Sequence, residues 1–203
     1  MNIPVFTFAT FVTATPSAKL ACVCGLQESQ GTEYDPRIDW WKQLREFVPK
    51  NHREGGTKAD LLRFTSRVTE RKSDGYRARA EAYRDWWGPR NINWFGGSNV
   101  TWTSANVEVT VNPELFISVD GVRHVVKLYF KASERLTSDR VSIVLRLLEL
   151  TYRGGSSPYG RPAVGVLDLA QSVYHEPGNS LTYLDPLLAG EAASFGAIWA
   201  AMS

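Results

Sequence analysis

The chain has 203 residues, 43% of them hydrophobic and 22% charged, with 23 Lys and Arg against 21 Asp and Glu. Those proportions suit one compact domain, or a core with an appendage, and exclude a disordered chain, a collagen or a coiled coil. No uncharged apolar run reaches the roughly 18 residues of a membrane-spanning helix, and a net charge of +2 favours no class of partner.

The first fifteen residues are apolar, with Pro4 inside them and no Lys or Arg ahead. They read as a β-like or irregular segment rather than a secretory signal, which carries a positive n-region. Residues 16–29 predict a short helix, with Pro16 in its first turn, Leu20 and Val23 on one apolar face, and Gly31 beyond its end. Cys22 and Cys24, two positions apart, are badly placed to bridge. With no further sulfur and no nearby His they do not make a zinc site, and they read as packed, reduced thiols of a cytosolic protein. Asp35 and Pro36 suit the N-cap and first position of the next helix. There Ile38, Trp41, Leu44, Arg45 and Val48 recur at helical spacing, and Pro49 is expected to stop it. Thr57 and Asp60 have capping-box spacing ahead of Leu61, Phe64, Thr65 and Val68. Arg63, Arg67 and Arg71, four apart, share another face. A further helix runs from Tyr76 to Trp87 and ends at Gly88–Pro89. From Arg53 to Arg90 ten basic residues stand against six acids, a local excess of +4. Such a stretch is either a solvated face laced with ion pairs or a surface that meets phosphate, with Arg77 a further contact.

After Asn91 the period changes. Val107, Val109 and Val111 alternate with polar residues as in a half-buried strand, which Asn112–Pro113 breaks. Leu115, Ile117 and Val119 form the next strand, Asp120–Gly121 is a two-residue hairpin turn, and residues 122–131 return as the partner. On that strand His124, Val126, Leu128 and Phe130 face one way, and Arg123, Val125, Lys127, Tyr129 and Lys131 the other. Thr137 caps a strong helix with Val141, Val144, Leu145 and Leu148 on one side. Residues 154–158 read as a loop, 162–174 as one buried strand containing Asp168, and 186–201 as an apolar helix. Seven tryptophans, two pairs of them adjacent (Trp40–Trp41 and Trp86–Trp87), suit core or interface packing or stacking on bases.

The order helix, strand, hairpin, helix, strand, helix is similar to the core of the restriction-endonuclease-like superfamily, whose motif is written PD-(D/E)xK. The resemblance covers about residues 57–203 and leaves 1–56 as an N-terminal helical extension. It implies an α/β (α+β) fold, with a central mixed sheet containing a hairpin and flanked by helices. Pro113–Glu114 stands at the place of the family's Pro-Asp, and Lys131, or Lys127 in a shifted frame, at that of its lysine. The position of the second acid then falls on Tyr129 or on Val125, neither of them a carboxylate. The family holds Mg²⁺ between two acidic side chains, polarising the phosphate and activating water, while the lysine stabilises developing charge. In this chain a metal site requires Glu114 with a migrated acid, Glu108 first, or Glu70 or Glu81.

Three readings remain open. The first in rank is a nuclease-fold protein with a degenerate site that binds nucleic acid or a protein partner without hydrolysis, through Arg63, Arg67, Arg71 and Arg77. The second is an active Mg²⁺-dependent nuclease using Glu114, Lys131, Lys127 and Glu108. The third is an assembly protein that uses its Trp-rich helices and C-terminal helix as a homodimer surface. No Walker loop, dinucleotide glycine fingerprint, HExxH or GxSxG motif is present.

Overall fold

A computed structural model describes residues 1–31, 39–154 and 159–202. The expected cap at Asp35–Pro36 and most of the expected loop at 154–158 lie outside the described residues. The fold is α+β, with helices flanking two mixed sheets. One small sheet has the order β1-β4-β3, with β1 at Asn2–Pro4, β3 at Val100–Ser104 and β4 at Val107–Val111. The main sheet has the order β2-β5-β6-β7-β8, with β2 at Ile92–Trp94, β5 at Leu115–Val119, β6 at Val122–Tyr129, β7 at Ala163–Asp168 and β8 at Val173–His175. Only β6 and β7 pair parallel within it, across the crossover helix α6 at Ser138–Tyr152.

Both faces of the main sheet are covered. One face, with Leu115, Ile117, Val126, Leu128 and Leu167, packs on α3 (Lys42–Arg53), α4 (Lys58–Thr65) and α5 (Glu70–Trp87) through residues such as Leu44, Leu61, Tyr76 and Tyr83. The other, with Phe116, Val125, Tyr129, Val164 and Val166, meets α6, the small sheet, α1 (Val5–Val12) and α7 (Asp185–Met202). Strand β6 is therefore buried on both sides, which its nearly continuous apolar run requires.

Several boundaries differ from the sequence expectation. Residues 1–15 are not irregular: β1 joins β4 in parallel and leads into α1, whose Val5, Phe8, Ala9 and Phe11 are buried. Val23 of α2 (Pro16–Gly31) is buried, whereas Leu20 is 49% exposed and does not share its face. Helix α3 passes through Pro49 instead of stopping there. Proline removes one helical hydrogen bond, but Val48 just before it and His52 after it are anchored in the core, with His52 Nε2 2.7 Å from the Tyr83 hydroxyl. The helix after Thr57 ends at Thr65, so Arg63 lies on α4, Arg67 in the following turn and Arg71 on α5, not on one continuous face. The stretch 162–174 is a hairpin rather than one strand, turning between β7 and β8. The Asp168 carboxylate makes that turn possible by accepting from the Ala170 and Gln171 amides at 2.8 and 3.1 Å, which is how it tolerates 2% exposure.

Other expectations hold. Thr57 and Asp60 form a reciprocal capping box, Thr137 accepts from the Arg140 amide, and Asp120–Gly121 turns with both φ angles positive, 49° and 90°, as a type I′ hairpin requires. The aromatic segment Trp94–Phe95–Gly96–Gly97 is packed down on the main sheet. Phe95 packs edge-on against Phe116, and a Cβ on Gly97 would stand 2.0 Å from that ring. Among the described residues no helix is long and apolar enough to cross a membrane.

His52 gives the fold a pH dependence. Burial lowers its pKa from 6.5 to about 4, so the folded state holds the neutral ring where the unfolded chain binds a proton. The associated stability is complete above pH 6.5 and is lost as pH falls towards about 4, by up to about 3 kcal/mol. Denaturant unfolding at pH 7 and pH 5 should show that loss, and His52→Gln, which still bonds Tyr83, should show a smaller one. An equal loss in both proteins would assign the effect to other groups.

Candidate functional site

The geometry of the hairpin decides which lysine meets Glu114. Val119 pairs with Val122 across the turn and Leu115 with Val126 at the far end. One more step in that register sets Glu114 opposite Lys127. The ammonium lies 2.7 Å from Glu114 Oε1, and it also donates to the Asn112 carbonyl. Glu114 Oε2 accepts from the Leu128 amide at 2.7 Å. The two side chains are only 10% and 8% exposed. This is a buried charge pair in the middle of a sheet, each charge satisfied by the other and by backbone.

The pair stands at the back of a cleft of about 610 Å³ between the two sheets. Its walls come from the start of the chain (Asn2, Val5 and Phe6), the end of β4 (Thr110), Trp41 ahead of α3, and the end of β6 from Tyr129 to Lys131. Asp39 and Arg45 complete the rim and pair with each other, with Arg45 Nη1 3.4 Å from Asp39 Oδ1. Arg45, Lys127 and Lys131 against Asp39 and Glu114 leave a formal +1. Lys131 is exposed and makes no ion pair among the described residues. Lys127 Nζ also sits 5.8 Å from the Phe6 ring centre.

A divalent cation is poorly matched to this arrangement. Both Glu114 oxygens already accept from donors, one of them an ammonium. Glu108 lies one step beyond Thr110 on the same face of β4, exposed and outside the cleft lining. The expectation that it joins Glu114 therefore finds no geometric support: it shares the face of Thr110 but stands two residues further along the strand, roughly 6–7 Å away, and does not line the cleft. Glu70 and Glu81 sit on α5, with Glu81 3.2 Å from Arg77, and neither lines the cleft. Val125, two positions before Lys127, is fully buried in the core. Tyr129, two before Lys131, donates its hydroxyl to the Glu134 carbonyl at 2.8 Å. Burial, helped by the negative charges of Glu134 and Asp168, pushes its pKa up to about 12, so it stays a neutral donor. Among the described residues no three His, Cys, Asp or Glu side chains are grouped to hold a metal.

The arginines expected to bind nucleic acid fall into two electrostatic classes. Arg63 pairs with Asp60 at 2.6 Å and Arg77 with Glu81. Arg67 and Arg71 make no ion pair among the described residues. The Arg71 guanidinium lies 5.3 Å from the Trp40 ring centre, and Lys72 Nζ 5.5 Å from the same ring. Trp41 stacks on Tyr76 and Phe130 at 5.6 and 5.8 Å. The aromatic surface thus runs from the cleft through Trp41 to Trp40. Sequence reasoning missed Trp41 and Arg45 as cleft residues, since they sit on an element far from the hairpin in the chain. The two-residue turn did carry the signal for Lys127 over Lys131 as the partner of Glu114.

Comparison of the chain with protein-family models, with curated proteins and with solved structures finds no match.

Truncating one member of the buried pair should be costly, because the other charge is left without its partner. Lys127→Met is expected to destabilise by about 3 kcal/mol in chemical denaturation, and Glu114→Gln with Lys127→Met by less than the sum of the single changes. Strict additivity would show that the two charges are uncoupled.

Proposed function

We propose that this chain is a restriction-endonuclease-like protein whose site has lost metal-dependent hydrolysis and that it binds nucleic acid through the cleft and the adjoining face of α4 and α5. The observation that carries the proposal is the engagement of both Glu114 oxygens, one by the Lys127 ammonium and one by the Leu128 amide. A carboxylate held in this way has little remaining capacity for a divalent ion, which needs several oxygen ligands. What remains is a cleft with a positive excess next to cations that lack acidic partners. The free thiols Cys22 and Cys24 suit a reducing, cytoplasmic setting.

Phosphate binding by such a surface is driven largely by release of counterions from the nucleic acid. A cation already neutralised by a carboxylate has less to contribute to that term. Arg67, Arg71, Lys72 and Lys131 therefore carry the affinity, with Arg63 and Arg77 as minor contributors.

Fluorescence anisotropy with labelled oligonucleotides over a salt series tests this. Binding should weaken steeply with salt, and Arg67→Gln with Arg71→Gln should reduce the slope of log K against log salt by about 1.4, at roughly 0.7 for each phosphate contact with a single strand. Arg63→Gln with Arg77→Gln should change it by less than half as much. Incubation with Mg²⁺ or Mn²⁺ should leave the oligonucleotide intact. Cleavage that disappears in Glu114→Ala would overturn the non-hydrolytic reading, and salt-independent or absent binding would overturn the nucleic-acid one.

A further inference from the structure

The size and walls of the cleft restrict the form of nucleic acid it accepts. A protein that reads a duplex usually offers a convex element, a helix or a β-ribbon, to a major groove about 12 Å wide. The cleft is concave, and its volume of about 610 Å³ falls within the range of pockets that enclose small organic groups, roughly 300–1,000 Å³. Its walls are partly aromatic, with Phe6, Trp41, Tyr129 and Phe130 among the lining residues. Of its cations, Lys131 is exposed, whereas Lys127 is buried against Glu114.

Trp40 extends this arrangement beyond the cleft. It follows directly from the rim residue Asp39 and is only partly buried, and its backbone carbonyl accepts from the Tyr76 hydroxyl. Arg71 and Lys72 both lie against its ring. Neither makes an ion pair among the described residues, so each is able to turn from the ring to a phosphate at small electrostatic cost. An aromatic plane with mobile cations beside it is the combination by which proteins hold unpaired bases and track a single strand.

We infer that the ligand of this surface is single-stranded nucleic acid, with an unpaired base in the cleft near Phe6 and Trp41 and the neighbouring nucleotide on Trp40, its phosphates met by Arg71 and Lys72. The inference rests on the nucleic-acid reading above and adds the strandedness of the ligand and the residue that stacks on it. Stacking on one aromatic ring contributes about 1–3 kcal/mol per base, roughly 5- to 150-fold in affinity. A duplex keeps its bases paired and stacked and gains neither contact.

The experiment compares a labelled single strand of about 12 nucleotides, as DNA and as RNA, with the duplex of the same sequence, by anisotropy at constant salt. The single strand should bind the full chain at least about tenfold more tightly than the duplex. Trp40→Ala should lower single-strand affinity by about tenfold or more with the far-UV circular dichroism unchanged, and Trp40→Phe should recover part of it. Equal or tighter duplex binding overturns this inference and leaves the nucleic-acid reading standing, whereas no binding to either form overturns both. A single-strand preference that survives Trp40→Ala in full overturns the path over Trp40. If Trp40→Ala does not fold, Lys131→Gln, a change at an exposed side chain, probes the cleft end by the same measurement. It should weaken the single strand more than the duplex, and an equal effect on both counts against the inference.

Discussion

A lysine in the central strand of a sheet is the constraint around which the cleft is organised. Strand β6 is buried on both faces, yet it carries Lys127 among Val125, Val126, Leu128 and Tyr129. An ammonium in that position costs several kcal/mol unless its donors are met. Glu114 meets one, and the Asn112 carbonyl another. Both partners come from the bend between β4 and β5, where Pro113 ends one strand and releases the chain into the other sheet. The two sheets diverge at this point, and the cleft is the space between them.

The same pair is the ground for proposing a binding surface here rather than a hydrolytic site. A carboxylate available to a cation and a carboxylate neutralised by an ammonium differ in what they attract. Glu114 belongs to the second kind, since its two oxygens are occupied by a charge and by a backbone amide. The charge that remains exposed at this end of the molecule is mainly positive, and it lies beside aromatic rings. Arg71 and Lys72 on Trp40, Arg79 at 5.3 Å from Trp41, and Lys127 near Phe6 repeat one local motif, a cation against a ring. Each such contact contributes modestly, about 0.5–1 kcal/mol where exposed, and those of Arg71 and Lys72 keep charged groups next to an aromatic ring with no acidic partner among the described residues.

Much of the site was legible in the hairpin. A two-residue turn at Asp120–Gly121 sets the register of β5 against β6, and counting outward from it pairs residue 114 with residue 127. The Pro113–Glu114 step marks the strand start, and the lysines follow from simple alternation. What was not legible is the contribution of distant segments. Trp41 and Arg45 reach the cleft only because α3 packs on β2 and α5, and Phe6 reaches it only because β1 adds to β4. Residues 1–15 read as β-like or irregular because an apolar run with an internal proline has no single local preference; the strand at Asn2–Pro4 fits that reading, while the helix at Val5–Val12 is held by burial on several sides. Pro49 looked like a stop signal for a related reason: the loss of one hydrogen bond is a local fact, while the anchoring of His52 on Tyr83 is a tertiary one.

The amino-acid sequence by itself determined the strand at Val107–Val111, the hairpin after Pro113 with its register, the helix after Thr137, the capping box at Thr57 and the absence of a second acid near either lysine. All of these depend on residues within about ten positions of one another, where spacing and turn chemistry leave few alternatives. Only the tertiary structure decided that the strands divide into two sheets, that Glu108 falls beyond the cleft, and that Phe6, Trp41 and Arg45 join its wall. Those outcomes turn on which faces are buried, and they are settled only when segments distant in the chain pack together.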